Sequence, residues 1–527
     1  MFKRISRLWN FIKLKMVNQE RFTLQGADYK DKIPTSNQKI KRELEHIFAD
    51  CSDFVLREII IGNQHTVKIM LGFIDGLVNK ELLYGDILQT LINQSDKIDL
   101  VNWTGPISEM LQERLLNDCE VKELKDLRSA VDEILGGNTV IFIDGEKVAI
   151  KLGTKGWEAR GVEEPGTEAV VRGPREGFTE TLRTNTALLR RKIKSSEMKF
   201  ESLKIGEYSR TDVAICYIKG IANEDVLRTL RRRLKKIKLD GILESGYIEE
   251  FIEDAPFSIF PTVGNSERPD KVAALLLEGR VAILVDGTPF VLTVPHIFIE
   301  TLHSPEDYYS RPYYVSLIRN LRFLAFLITT SLPAVYVALI SFHQSAVPFK
   351  LLITIAASRE GIPFSAFTEA LVMGVIFELL REAGIRMPRP IGQALSIVGA
   401  LVLGEAAVRS GIASDAMVMI TALTAISGII LEPLSGTLPI IRFVLLIAAN
   451  FYGFLGLLLA AIMFLIHLCS VRSFGVPYLA PFSPISGQDL KDTYIRVPLW
   501  TMLTRPTSIS KATDKKRQNF EYIKKED

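Results

Sequence analysis

An uninterrupted apolar segment constrains this chain more than any other feature of its sequence. The segment Phe323–Phe342 contains no charged side chain over its whole length. At about 1.5 Å per helical residue, these roughly 20 residues extend about 30 Å, which matches the hydrocarbon core of a bilayer. The segment therefore predicts a membrane-spanning helix, with a kink at Pro333.

Further apolar segments follow at short intervals. Ser414–Leu431 and Phe443–Leu468 are nearly free of charge, and Ile391–Val408 carries only Glu405. A less apolar segment, Phe364–Leu380, is compatible with a span, a re-entrant helix or a helix lying on the membrane surface. We therefore predict an α-helical transmembrane domain of four or five spans over residues 321–470.

Composition shows that the rest of the chain is of a different kind. The chain is 47% hydrophobic and 24% charged, with a mean hydropathy of +0.18. This charge content is ordinary for soluble proteins and too high for a chain made only of membrane helices. The two values together exclude both a single soluble domain and a pure helical transporter bundle.

The charge balance and the cysteines exclude several function classes. A net charge of +3 gives no large basic excess, so we predict no nucleic-acid partner. The four cysteines form no CxxC pair and the six histidines form no HExxH motif, which argues against a disulfide framework and a metal site. The GxxxxGK[ST], GxGxxG and GxSxG motifs are missing as well. We therefore expect no catalytic residues, no cofactor and no enzymatic activity.

The hydrophilic N-terminal region contains an internal repeat. Residues 70–79 (MLGFIDGLVN) resemble residues 214–223 (AICYIKGIAN), and Gly76 and Gly220 are 144 positions apart. Two later Asp-Gly pairs contain Gly145 and Gly287, and these glycines are 142 positions apart. Strand-like runs alternate with helical ones, which predicts a multidomain protein with two α/β subdomains ahead of the helices. We place them at residues 41–190 and 197–305.

Two flanking segments complete this organisation. Residues 1–40 begin with alternating basic and apolar side chains, which fits either an amphipathic helix on an anionic membrane or a frayed basic arm. Residues 471–527 form a hydrophilic C-terminal tail. Basic residues next to the predicted spans favour a cytoplasmic side for the N-terminal region and leave the side of the tail open; these interfacial residues are Arg319, Arg322, Arg381, Arg386 and Arg389.

Polar and small residues within the predicted spans are the candidates for an ion pathway. Glu369 and Glu405 each need a reason to lie in a membrane, and they could face a water-filled path or a headgroup region. Small residues recur every four positions in one span, which permits close helix packing or a narrow pore; they are Gly392, Ser396, Ala400 and Gly404.

Several long motifs resemble one family, the A subunits of GerA-type nutrient germinant receptors of bacterial endospores. The similar stretches lie between residues 50 and 505; they are Gly173–Lys194, Glu267–Pro295, Glu306–Tyr309, Arg359–Phe364, Phe377–Pro390 and Ser396–Gly404. The resemblance implies a multi-pass protein of the spore inner membrane with its N-terminal region on the spore-core side. It also implies a B-type integral membrane subunit and a C-type lipoprotein as partners, contact with membrane lipids, and a pentameric ring around a cation pathway.

Departures from the family pattern leave alternatives open. Ser345 and Ala346 stand where an acidic residue often follows His343-Gln344, and Gly374 also replaces an acidic residue. A Gln is frequent at position 405, so the pattern does not require a carboxylate there. One alternative function is a signalling scaffold whose soluble lobes bind a ligand or partner without a pore. Another is the related family member that amplifies ion release.

Overall fold

The computed structural model describes residues 32–61, 67–95, 105–111, 120–156, 164–387 and 402–510. The chain divides into two compact units. The first unit comprises Met1–Ala49 and Phe54–Gly156, and the second comprises Asp50–Asp53 and Trp157–Asp527. The second unit therefore contains both a soluble part and the apolar helices.

A five-stranded antiparallel sheet forms the first unit, with strands in the order β1-β2-β4-β5-β3. Alternate residues of β2 face opposite sides of the sheet. Ile69 and Leu71 pack against the helical segment that follows β2, whereas Gly72 approaches Ile134 on the other face. The elements are α1 (Asn37–Ile47), β1 (Phe54–Ile61), β2 (Val67–Ile74), a π-helical segment (Glu81–Leu88), α2 (Gln89–Ser95), α3 (Ile107–Met110), β3 (Val121–Leu124), α4 (Leu127–Leu135), β4 (Thr139–Ile143) and β5 (Ala149–Leu152).

The soluble part of the second unit is built on a sheet of order β6-β7-β9-β10-β8. Val213 and Ile215 of β7 pack against α6 and α7 on one face, and Ala214 and Cys216 pack against α5 and α8 on the other. Each face is thus covered by two helices. The elements are α5 (Leu182–Lys192), β6 (Met198–Ile205), β7 (Thr211–Ile218), α6 (Glu224–Leu234), α7 (Ser245–Ile252), β8 (Gly264–Ser266), α8 (Pro269–Leu277), β9 (Val281–Val285) and β10 (Val291–Val294).

The two sheets share one topology. In each, the first two strands pair over eight residues, from Phe54↔Ile74 to Ile61↔Val67 and from Met198↔Ile218 to Ile205↔Thr211. The glycines of the sequence repeat take equivalent left-handed conformations, with φ of 92° at Gly76, 74° at Gly220, 94° at Gly145 and 90° at Gly287. Only glycine adopts this conformation without strain. The sequence repeat therefore marks turns that occur at equivalent places in the two sheets. The α/β part of the predicted fold class is thus confirmed, with antiparallel sheets; the residue limits of the subdomains stay a prediction.

The helical region follows the second sheet. Among the described residues, α9 (Pro312–Phe342) and α13 (Thr437–Ser470) are long and apolar enough to cross a membrane. The other helices are α10 (Phe349–Ser358), α11 (Ala366–Arg386) and α12 (Asp415–Ile429), and residues 402–409 are helical too. The predicted segment Phe364–Leu380 lies mostly within α11, while most of Ile391–Val408 lies outside the described residues. The count of four or five spans stays a prediction.

Helix α13 reverses direction at Gly453, where φ is 57° and ψ is −134°. A straight helix would separate Thr437 from His467 by about 45 Å. Instead, Thr437 Oγ1 donates a hydrogen bond to the Ile259 carbonyl, and His467 Nε2 lies 2.9 Å from Oγ of the adjacent Ser258. We call α13 the apolar hairpin, with arms 437–452 and 454–470.

Small side chains allow the two arms to approach each other. Ala449, Gly453, Gly456 and Ala460 are all buried, and a Cβ at Gly456 would collide with the Ala448 carbonyl group. The predicted span Phe443–Leu468 therefore contains a turn. Hydropathy could not reveal it, because both arms are apolar.

 The reversal returns the chain to the second sheet. Two serines of the tail beyond the hairpin bind backbone groups that closely follow β10 and β7 of this sheet. Ser473 Oγ accepts a hydrogen bond of 3.0 Å from the His296 amide, and Ser510 Oγ donates one of 2.8 Å to the Ile221 carbonyl. The tail and the second sheet therefore lie at the same end of the helical region.

Replacement of Gly453 tests this reversal. We expect Gly453→Ala to lower the free energy of unfolding by about 1–3 kcal/mol, because an L-residue is strained at this φ. A Cβ there would also lie 2.8 Å from His343 Cε1 and 3.0 Å from Phe342 Cβ. Thermal unfolding of the purified protein in detergent measures the change. The control is Gly436→Ala, since Gly436 has a helical φ of −77° and no neighbouring atom where a Cβ would stand. Equal stability of the two variants would contradict the reversal.

Candidate functional site: buried charges in the helical region

A carboxylate is buried within the helical region at the start of α11. Ser365 caps this helix by accepting a hydrogen bond from the Thr368 amide at 3.2 Å, and Glu369 lies in the first helical turn. The Glu369 residue is only 1% exposed, and its neighbourhood includes the apolar side chains of Ala370 and Met417. A charge in such surroundings is costly unless it is paired.

Glu369 is paired with groups from two other segments. Its Oε2 accepts hydrogen bonds from the Ser414 amide at 3.1 Å and the Ser414 hydroxyl at 2.9 Å, at the N-cap of α12. Arg359 Nη2, just after α10, lies 3.0 Å from Glu369 Oε1. The carboxylate thus joins the end of α10 to the starts of α11 and α12. Removing one partner of a buried ion pair typically costs about 3–5 kcal/mol.

Two oxygen atoms in this cluster have polar neighbours but imperfect hydrogen-bond geometry: Glu369 Oε1 faces Arg359, and the Tyr336 hydroxyl faces Ser414. Within the described part of the chain, neither Glu369 Oε1 nor the buried Tyr336 hydroxyl makes a hydrogen bond of normal geometry. Buried oxygen atoms without such bonds are uncommon, and each keeps a lone pair that a further donor or a cation could use. With Ser414 Oγ, they make a set of oxygen atoms, the ligand type preferred by hard cations.

A cavity of about 400 Å³ reaches this cluster. Ile340, Gln344, Leu352, Ile355 and Arg359 are among its lining residues. The Arg359 side chain is 19% exposed, whereas that of Glu369 is fully buried. Arg359 therefore stands between the cavity and the carboxylate.

A second set of buried charges joins α9 to the tail. Arg319 Nε lies 2.9 Å from Asp307 Oδ2, and Arg319 Nη1 lies 2.7 Å from Asp492 Oδ1. The Tyr308 hydroxyl donates to Asp492 at 2.6 Å, and Arg322 pairs with Asp307 at 2.9 Å. This junction cluster connects residues nearly 200 positions apart in sequence.

The charge states at this junction are stable near neutral pH. Burial alone would raise the pKa of Asp492, but the charge of Arg319 outweighs it and holds the pKa below its usual value. Burial, reinforced by Arg319, lowers the pKa of His303 to about 4. Asp492 is therefore ionised and His303 neutral between pH 5 and 8, and the stabilisation from Asp492 is lost only as the pH falls through its lowered pKa.

The remaining residues singled out from the sequence lie in several places. Glu405 forms an exposed ion pair with Arg409 at 2.5 Å. A Cβ at Gly404 would lie 3.4 Å from Val418 Cγ1, so this glycine faces α12. Gly392, Ser396, Ala400 and Arg389 lie outside the described residues.

The interfacial arginines pair with nearby carboxylates. Arg381 lies 2.8 Å from Glu378 and Arg386 lies 2.7 Å from Glu382, while Arg319 and Arg322 belong to the junction cluster. Sequence reasoning missed three members of the Glu369 cluster, namely Arg359, Ser414 and Tyr336. The available signal was a charged residue, Arg359, between two apolar segments.

Comparison with known proteins identifies the family. The Bacillus/Clostridium GerA spore germination protein family matches residues 42–508. Spore germination protein KA of Bacillus subtilis is 48% identical over 469 residues, covering 89% of this chain and 85% of that protein. The uncharacterized membrane protein YfkQ of B. subtilis is 43% identical, covering 93% and 94%. Spore germination protein GerLA of Bacillus cereus is 38% identical, covering 89% and 94%.

A solved structure is similar to part of the chain. It is the N-terminal domain of the A subunit of the Bacillus megaterium spore germinant receptor GerK3, with 33% identity and a TM-score of 0.41, covering 52% of this chain and 99% of that one. The family match extends over most of the sequence and confirms the resemblance carried by its motifs. The chain therefore belongs to the Bacillus/Clostridium GerA spore germination protein family.

Proposed function

We propose that this chain is the A subunit of a nutrient germinant receptor and that its helices form a cation pathway gated at Glu369. Family membership supports a role in germination, and the long apolar helix α9 together with the apolar hairpin supports a place in the membrane. In this proposal the protein lies in the spore inner membrane, with both soluble sheets and the tail on the spore-core side. It acts with a B-type membrane subunit and a C-type lipoprotein, in a homo-pentameric ring.

The buried Glu369 carboxylate carries this proposal. In the resting arrangement Arg359 neutralises it, so the guanidinium occupies the position where a monovalent cation would bind. A shift of the segment that carries Arg359 would release the carboxylate, and a cation could then bind among the Glu369, Ser414 and Tyr336 oxygens. Arg359 is thus a latch on a cation site.

The small-residue stripe is proposed to line the adjacent path. Gly404 belongs to it in sequence and faces α12, whose first turn also contacts Glu369 through Ser414. Gly392, Ser396, Ala400 and Glu405 complete the proposed lining. Helix α12 therefore provides a physical connection between Glu369 and the stripe.

The junction cluster is proposed to transmit the stimulus. Arg319 lies on α9 and binds both Asp307, which precedes this helix, and Asp492 in the tail. A displacement of the soluble part would pull on the start of α9 through these buried contacts. A scaffold without a pore would need the same junction, so only ion flux separates the two functions.

Neutralising Glu369 and neutralising Arg359 are expected to have opposite effects on cation flux. We expect Glu369→Gln to slow nutrient-triggered cation release by about tenfold or more, because a neutral amide attracts a cation far less than a carboxylate. We expect Arg359→Gln to raise the resting leak, because the carboxylate then lacks its cation. Potassium release from spores measures both effects.

The matched control for these variants lies on the same helix. Glu382→Gln removes a carboxylate that is 57% exposed and pairs only at the surface with Arg386, so release should be unchanged. Receptor levels are measured in parallel by immunoblotting. If Glu369→Gln and Arg359→Gln reduced cation release alike at normal protein levels, the proposed latch would be excluded.

Asp492 tests the proposed transmission. We expect Asp492→Asn to weaken nutrient-triggered release while leaving the resting leak unchanged, because Arg319 loses one of its two carboxylates far from Glu369. Asp240→Asn, at an exposed position, serves as the control. Dose–response curves for the nutrient measure the coupling, and an unchanged curve for Asp492→Asn would exclude the junction as the route.

A further inference from the structure

Helix α7 and the loops on either side of it expose a group of large apolar side chains. Tyr247 and Phe251 are 44% and 50% exposed, Leu243 is 72% exposed, and Phe257 is 100% exposed. We call these four residues the aromatic patch. Burying a fully exposed phenylalanine side chain is favourable by about 1.5–3 kcal/mol of free energy. A patch of this kind therefore indicates a binding surface.

Two residues of the patch lie beside the packed face of α7. Ile248 and Ile252 of the same helix are fully buried against the second sheet. Tyr247 and Phe251, four positions apart, share a neighbouring side of the helix, about 100° round from the buried isoleucines. The helix is thus apolar on two adjoining sides, and one of them already completes the core.

The position of the patch identifies what covers it. Ser258 directly follows Phe257 and contacts His467, near the end of the apolar hairpin. The next residue, Ile259, contacts Thr437 at its beginning. Both ends of the hairpin therefore lie within one or two residues of Phe257, at the level where this chain would enter a bilayer.

We propose that the aromatic patch inserts into the acyl-chain boundary of the bilayer and seats the second sheet on the membrane surface. This inference rests on the membrane placement in the proposed function. Tyrosine favours the membrane interface, where its ring contacts both acyl chains and headgroups. Phenylalanine and leucine are typical of apolar faces that are buried at the boundary between headgroups and acyl chains. The occupant is lipid and not a soluble partner, because the patch continues from the residues that hold both ends of the hairpin.

The charges around the patch specify the kind of lipid contact. Glu244, Glu249, Glu250 and Glu253 lie on or beside the same helix. They would repel an anionic headgroup, so the attraction comes from apolar insertion. The contact should therefore persist in bilayers of purely zwitterionic lipid.

A fluorophore at position 257 tests this proposal on the full-length protein. Phe257→Cys is labelled with an environment-sensitive dye in a background in which Cys469, which is exposed, and Cys119 are replaced by serine. The protein is reconstituted into phosphatidylcholine nanodiscs with or without lipids that carry a nitroxide near the headgroup end of the acyl chain. We expect the nitroxide to remove most of the fluorescence.

A second labelled position separates the two possible failures. Leu459, on the second arm of the hairpin, is 56% exposed and lies about 12 Å along the helix from His467. Its label should therefore be quenched by lipids that carry the nitroxide further along the acyl chain wherever the hairpin lies in the bilayer. Quenching at position 459 without quenching at position 257 would overturn the aromatic patch alone. Loss of quenching at both positions would overturn the membrane placement on which it rests.

Discussion

Charges within an apolar helical region must be paired, and this constraint determines which parts of the chain come together. Glu369 joins α10, α11 and α12, and Arg319 joins α9 to the tail. Arg442, in the first arm of the hairpin, pairs with Glu378 of α11. These contacts link different helices or join a helix to the tail, and moving one partner away alone would leave a buried charge unpaired.

The same pairs explain how a packed structure could also switch. A latch needs two arrangements of similar energy, and the buried Glu369 carboxylate can be neutralised in two ways. Arg359 satisfies the charge in one arrangement, and a cation would satisfy it in the other. The reversal at Gly453 supports this design indirectly, because it returns the tail to the second sheet and so allows Asp492 to reach Arg319.

The sequence predicted the features that depend on local patterns. Apolar length predicted α9, and the spacing of four glycines predicted the repeated turns of the two sheets. The hairpin was missed because a single glycine between two apolar arms changes neither length nor hydropathy. The partners of Glu369 were missed for a different reason. Arg359 and Ser414 are 10 and 45 positions away, and only the tertiary packing of three helix ends brings them to one carboxylate.

The most direct measurement of the latch is the cation leak of liposomes that contain the purified chain with both charges neutralised. If Arg359 acts by shielding Glu369, the leak caused by Arg359→Gln should disappear in the double variant Arg359→Gln/Glu369→Gln, because no carboxylate remains to attract a cation. A double variant that leaks as much as Arg359→Gln would show that Arg359 acts independently of Glu369 and would contradict the proposed gate.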